Sequence, residues 1–64
     1  MPTDREGLLI IRAYVEEQSA SPLRAHIRLT TDVSAGFERT VTLAEAAAVG
    51  TLVQAWLREL LADP

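Results

Sequence analysis

The sequence contains no cysteine and a single histidine, His26. A disulfide is therefore excluded, and so is a conventional structural zinc site, which needs four Cys or His ligands. With 64 residues the chain forms one small domain, in the size range where a single core is marginal without a further source of stability. Oligomerisation is the source that remains, and we expect neither a metal nor a cofactor.

Lysine is absent as well, so the six basic residues are all arginines, and nine acidic residues bring the net charge to -3. This charge disfavours sequence-independent binding to nucleic acid. Arginine without lysine, together with abundant alanine, is typical of a GC-rich bacterial genome. No apolar run is long enough to span a membrane and no basic leader precedes one, so we expect a cytoplasmic protein that does not bind membranes.

The hydrophobic pattern predicts a single α+β domain over residues 1–64. A polar, flexible lead-in precedes three strands, and the period then changes to that of a helix. The predicted bounds are 1–6 for the lead-in, about 8–16, 23–31 and 37–42 for the strands, and about 43–61 for the helix. Thr42 and Glu45 have the spacing of a capping box at the helix start. We therefore expect a three-stranded antiparallel meander with the C-terminal helix packed on one face, in the order β-β-β-α.

The first predicted strand does not alternate, because Leu8–Val15 places apolar side chains on both faces. One face should join the helix in the core, and the other is left over. The predicted core of the sheet consists of Leu9, Ile11, Ala13, Val15, Leu23, Ala25, Ile27, Leu29, Phe37 and Val41.

The helix is also more apolar than one sheet requires, since its apolar arc covers roughly half the circumference instead of ~100°. Gly50 lies on the flank of this arc, where it either admits a second helix or makes room for a strand side chain. The left-over surfaces predict an interface with a second copy or with another protein. Its residues would be Leu8, Ile10, Tyr14, Gly50, Leu57 and Leu61.

The outer face of the sheet carries a basic set that could hold nucleic-acid phosphates and stack a base. It consists of Arg12, Arg24, His26 and Arg28. The alternative is a solvated face, on which Glu16, Asp32 and Glu38 neutralise the arginines by cross-strand pairing.

As the single histidine, His26 is the candidate for acid-base chemistry, yet it stands on a predicted strand between two arginines with no nucleophile at a recognisable spacing. Glycine-rich phosphate loops and metal-ligand clusters are missing from the sequence. Trp56 lies at the centre of the helix arc, where an aromatic is typical of a core. We therefore expect no enzymatic activity and no small-molecule substrate. An enzyme would need a concave pocket that contains His26 and a carboxylate.

The stretch Thr42–Ala46, together with the order of the elements, resembles small antitoxin subunits built on half of a ribonuclease-H-type sheet, and equally a truncated double-stranded-RNA-binding domain. The resemblance is topological and assigns no functional residue. The sequence thus favours a non-enzymatic, homodimeric protein-interaction module. The alternative is a nucleic-acid-binding or antitoxin-like regulator that uses the basic face of the sheet.

Overall fold

The computed structural model describes residues 4–36 and 39–62. Three strands form one antiparallel sheet in the order β1-β2-β3, and a C-terminal helix follows. The elements are β1 (Leu8–Val15), β2 (Leu23–Thr30), β3 (Arg39–Leu43) and α1 (Ala46–Ala62), with a short 3-10 turn at Val33–Ala35. The predicted β-β-β-α order is confirmed. The start that the sequence predicts for the third strand, at Phe37 and Glu38, lies outside the described residues.

The core is centred on the middle strand. In β2, Ala25, Ile27 and Leu29 are almost completely buried, because their side chains all point to the sheet face that carries the helix. Ile27 pairs with Ile11 on one side and with Val41 on the other. The half-buried side chains packed around this centre are Leu9, Val41, Leu43, Val49, Leu52 and Trp56.

The helix begins later than the sequence predicts, and the predicted capping box is not formed. Thr42 lies inside β3, and its hydroxyl is 3.2 Å from Nδ1 of His26. The Val49 amide donates to the Glu45 carbonyl over 3.2 Å, so Glu45 precedes the first helical residue instead of lying one turn inside the helix. Pairing of β3 with β2 has therefore prevailed over the local capping pattern.

The second half of β1 is not covered by the helix, which corrects the predicted core. Ile11 is 45% exposed, Val15 is 65% exposed, and Ala13 between them is exposed as well. A helix is about 10 Å wide and strands are about 4.8 Å apart, so one helix covers about two strands. In this protein α1 covers the middle of the sheet and leaves the second half of β1, from Ile11 to Val15, exposed to solvent.

Arg5 and Glu6, which belong to the lead-in predicted for residues 1–6, form hydrogen bonds with the folded chain, and residues 1–3 of that segment lie outside the described residues. Arg5 donates from Nε to the Thr31 carbonyl over 3.1 Å, and its guanidinium also bonds to the Leu60 carbonyl at the end of the helix. The Glu6 carbonyl accepts from the Val33 amide over 2.9 Å. These bonds join the start of the described chain to the end of β2 and to the last helical turn.

Arg39 is the one charged side chain that the alternation of β3 places toward the helix. Its guanidinium forms an ion pair with the Glu59 carboxylate, with 2.9 Å between the two atoms, and both side chains are about half exposed. Arg39 therefore lies along the β3 side of the helix and not beneath it. An exposed pair of this kind adds little to stability, but its position shows which side of the helix faces β3.

The chain is thin and elongated for its mass. Its principal extents are 53 × 19 × 11 Å and its radius of gyration is 14.0 Å, whereas a compact domain of this length has about 11 Å. Its accessible surface is 4862 Å², compared with about 4,000 Å² expected for a compact monomer of this mass. The folded chain thus leaves about 800 Å² more surface in solvent than a compact monomer would.

Two glycines give a matched pair of alanine substitutions. A Cβ at Gly7 would lie 3.0 Å from Trp56 Cζ2 and 3.1 Å from the Thr30 carbonyl oxygen, whereas a Cβ at Gly50 meets nothing within 4 Å. We expect Gly7→Ala to destabilise the fold by about 1–3 kcal/mol through overpacking. Gly50→Ala should stabilise it by up to about 1 kcal/mol through helix propensity.

Urea unfolding of both variants, at one protein concentration, measures the two effects. A stable Gly7→Ala variant would contradict the close packing at the end of the helix. The sequence left two explanations for Gly50, namely that it admits a second helix or that it makes room for a strand side chain. The open space around Gly50 excludes the second explanation.

Candidate functional site

All six residues that the sequence predicts for an interface lie at the surface. Five of them are large apolar side chains with exposed fractions between 41% and 84%, the highest being Leu61. The sixth, Gly50, faces open space. These six residues are Leu8, Ile10, Tyr14, Gly50, Leu57 and Leu61.

The structure divides the six residues between two faces of the sheet. Leu8, Ile10 and Tyr14 alternate along β1 on the outer face, opposite Thr30, Arg28 and Arg24 of β2. Gly50, Leu57 and Leu61 belong to the helix, which covers the other face. The two predicted surfaces therefore do not form one patch, and β1 is the element that connects them.

Sequence reasoning missed the exposed helix-side residues of β1. Ile11 and Val15 were assigned to the core, but both are exposed beside the helix. The signal that could have identified them is the width of the sheet, since one helix cannot cover three strands. With them, β1 presents apolar side chains to solvent on both of its faces.

The exposed flank of the helix faces β1. Glu59 reaches Arg39 on β3, and residues two positions apart on a helix point to nearly opposite sides, because each residue turns by about 100°. Leu57 and Leu61 are each two positions from Glu59. Gly50 is nine positions from Glu59, and this spacing also places it on the side of the helix opposite Glu59. The three residues therefore lie on the side of the helix that faces β1.

The free edge of β1 can be derived from one hydrogen bond. The Glu16 amide donates to the Pro22 carbonyl over 2.7 Å. Glu16 and Pro22 lie one position beyond the last pair of the β1–β2 ladder, Val15 with Leu23, and continue its register as a hydrogen-bonded pair. Hydrogen-bonded and non-hydrogen-bonded pairs alternate in antiparallel sheets. The backbone groups that point away from β2 therefore belong to Leu9, Ile11, Ala13 and Val15.

This edge has few of the features that protect edge strands. Proteins usually block such edges with lysine, proline, bulges or short strands. β1 is eight residues long, pairs with β2 without a bulge, and carries one charged residue, Arg12. It is therefore suited to pairing with another strand.

The outer face also contains a shallow depression of about 410 Å³, lined by Ile10, Arg12, His26, Arg28 and Thr40. The His26 ring contacts Tyr14 on one neighbouring strand and Thr42 on the other. Its ring stacks on Tyr14 with the ring centres 5.6 Å apart, and the Tyr14 hydroxyl lies 3.4 Å from Nε2. In the described part of the chain, no carboxylate is among the residues that line this depression.

The third arginine of the predicted basic set is directed elsewhere. Arg24 forms an ion pair with Glu16 at 3.3 Å and also bonds to the Leu23 and Ser21 carbonyls in the β1–β2 loop. The structure thus brings Arg12, His26 and Arg28 together and leaves Arg24 out. Binding of nucleic acid to this face stays a prediction.

Asp32, which the sequence offered as a neutralising partner, is engaged locally. The Ser34 hydroxyl donates to its Oδ1 over 2.6 Å and the Ser34 amide donates over 3.0 Å. These two hydrogen bonds hold the pKa of the Asp32 carboxyl below its usual value, because they favour the charged form. Asp32 therefore serves the 3-10 turn, and Glu38 lies outside the described residues.

Comparison with known proteins gave no match to a family model, to a curated protein or to a solved structure. Within residues 4–36 and 39–62, no group of three or more His, Cys, Asp or Glu side chains is placed to hold a metal ion. In the same ranges, no helix is both long and apolar enough to cross a membrane. Function is therefore inferred from the geometry of β1 and the helix flank.

Proposed function

We propose that this protein is a non-enzymatic protein-interaction module that acts as a homodimer. One observation carries the proposal: β1 is an edge strand that exposes large apolar side chains on both of its faces. Large apolar side chains exposed together on one strand of a small domain usually mark a contact with another chain. The helix flank of Gly50, Leu57 and Leu61 extends it on one side.

The dimensions of the chain support the same function. The surface that exceeds that of a compact monomer is about 800 Å², which equals the area that each partner contributes to a standard protein interface. Among residues 4–36 and 39–62, three apolar residues are almost fully buried, and a core of this size provides little stability. Burial of the exposed apolar surface would add to it. Assembly and folding are therefore expected to support each other.

The test is the solution mass by light scattering over a concentration series. We expect twice the mass of the chain, and we expect Ile10→Glu and Leu57→Glu to shift the mass to that of one chain, because each places a charge on the exposed apolar surface. Ala47→Glu is the matched control, since Ala47 is exposed on the side of the helix that points away from the sheet. It adds the same charge and should leave the dimer intact.

A wild-type chain that remains monomeric over the whole series would refute the homodimer. A dimer that survives both Ile10→Glu and Leu57→Glu, with folded circular dichroism spectra, would show that another surface is used. Loss of folding in these two variants but not in Ala47→Glu would indicate that the monomer is unstable without its partner, and the dimer would stand.

A further inference from the structure

We infer that two copies of the chain pair antiparallel through the outer edges of their β1 strands, and that each helix end then covers the uncovered half of the other copy's β1. This inference rests on the proposed homodimer and names its geometry. The product is a continuous six-stranded sheet with both helices on one face. Three features of the structure carry it, namely the outward backbone groups, the side-chain register and the position of the helix flank.

The first feature is the set of backbone amides and carbonyls of β1 that point away from β2. Leu9, Ile11, Ala13 and Val15 each direct an amide and a carbonyl away from β2, as the Glu16–Pro22 bond requires. A second β1 that runs in the opposite direction presents the same set. Pairing across residues 8–14 would form about six backbone hydrogen bonds between the two copies.

The register follows from the side chains. A two-fold axis at Ile11 places Ile10 opposite the partner's Arg12 and Leu8 opposite the partner's Tyr14, so every opposed pair contains an apolar residue. An axis at Arg12 would instead place the two Arg12 side chains directly opposite each other, and like charges in that position destabilise a sheet. An axis at Ile10 would pair a shorter stretch and leave Tyr14 and Val15 unpaired. The axis at Ile11 is therefore favoured.

The helix flank explains why the partner is a second copy. The end of the helix lies over the start of β1, since a Cβ at Gly7 would touch both Trp56 and Leu60. Leu57 and Leu61 project from this end toward the β1 edge, whereas the uncovered residues lie at the other end of β1. Antiparallel pairing brings these two unlike ends together.

In the register centred on Ile11, Val15 lies opposite the partner's Gly7. Val15 and Ala13 would then lie beneath Leu57 and Leu61 of the partner subunit, and the same contact forms again on the other side of the axis. Each copy thus supplies the cover that the other lacks. The contact uses the most exposed large apolar residues of both elements, Val15 at 65% and Leu61 at 84%.

The first test removes one outward amide from the edge and keeps the apolar surface. Ala13→Pro deletes an N–H that points away from β2, and proline is tolerated on an edge strand in that position. We expect the folded variant to have the mass of one chain by light scattering. Thr40→Pro is the matched control, because the alternation of the β2–β3 ladder directs the Thr40 amide away from β2 at the opposite edge of the sheet.

The second test determines the register by disulfide cross-linking. The sequence has no native cysteine, so only the introduced cysteine can form a disulfide. Opposed residues of a hydrogen-bonded pair have Cα atoms about 5.5 Å apart, a separation that a disulfide can bridge. We expect mild oxidation of Ile11→Cys to link most chains into covalent dimers, while Thr40→Cys stays monomeric on a denaturing gel.

The outcomes separate this inference from the proposed function. A wild-type dimer that persists in folded Ala13→Pro, or that cross-links through Thr40→Cys and not through Ile11→Cys, would overturn edge pairing but leave the homodimer in place. Stronger cross-linking through Arg12→Cys than through Ile11→Cys would overturn the register. A monomeric wild-type chain would refute both.

Discussion

Replacing Ile27 with alanine should leave most of the chain unfolded at room temperature. Ile27 has no exposed surface and lies between the buried Ala25 and Leu29 along β2, and between Ile11 on β1 and Val41 on β3. Truncation of a buried isoleucine to alanine costs about 2–5 kcal/mol, because a cavity remains beside the lost contacts. A core of this size rarely supplies more than about 3–5 kcal/mol in total.

Urea unfolding followed by circular dichroism measures this effect, at one protein concentration because assembly alters apparent stability. Ile27→Val removes one methylene and should cost about 0.5–1.5 kcal/mol, which gives a graded series. Val33→Ala is the control, since Val33 is an exposed apolar residue in the 3-10 turn and should change stability by no more than about 0.5 kcal/mol. Equal losses for Ile27→Ala and Val33→Ala would contradict the position of the core.

Replacing Trp56 with alanine should have an effect of similar size, about 3–5 kcal/mol. Trp56 packs against the core from the helix, and its Nε1 donates to the Thr30 carbonyl over 2.9 Å. Its ring also lies against Gly7. The substitution would therefore separate the helix end from β2 and from the segment before β1.

Trp56→Phe distinguishes the apolar contact from the hydrogen bond. Phenylalanine keeps most of the buried ring but cannot donate to Thr30, so we expect a smaller loss of about 1 kcal/mol. The comparison is made by urea unfolding and by hydrogen exchange of the helix amides. If Trp56→Phe and Trp56→Ala were equally unstable, the hydrogen bond would dominate, and the apolar contact described here would be of minor importance.

Periodicity was sufficient to predict the order of the elements. Ala25, Ile27 and Leu29, which the sequence assigned to the core, are the buried residues of β2. Trp56, predicted at the centre of the apolar arc of the helix, packs against them. Both features depend on residues close in sequence. The start of the helix could not be obtained in this way, because Thr42 is held in β3 by pairing with His26 across the sheet.

The candidate surface was predicted only in part. Exposure of Leu8, Ile10 and Tyr14 followed from the lack of alternation in β1, but exposure of Ile11 and Val15 depends on where the helix lies across the sheet. That position is set by contacts between distant residues, among them Trp56 with Thr30 and with Gly7. A hydrophobic pattern carries no information about such contacts, so it assigned the whole inner face of β1 to the core.

The guanidinium of Arg5 has a consequence for the order of folding. It bonds to the carbonyl of Leu60, 55 positions away in the chain, and to the Thr31 carbonyl at the end of the β1–β2 hairpin. Closing so long a loop is entropically costly before other contacts exist, so these bonds form after the hairpin and the helix have docked. Interactions made after the transition state slow unfolding and leave the folding rate nearly unchanged. We therefore expect the Arg5 bonds to prolong the lifetime of the folded chain by slowing its unfolding.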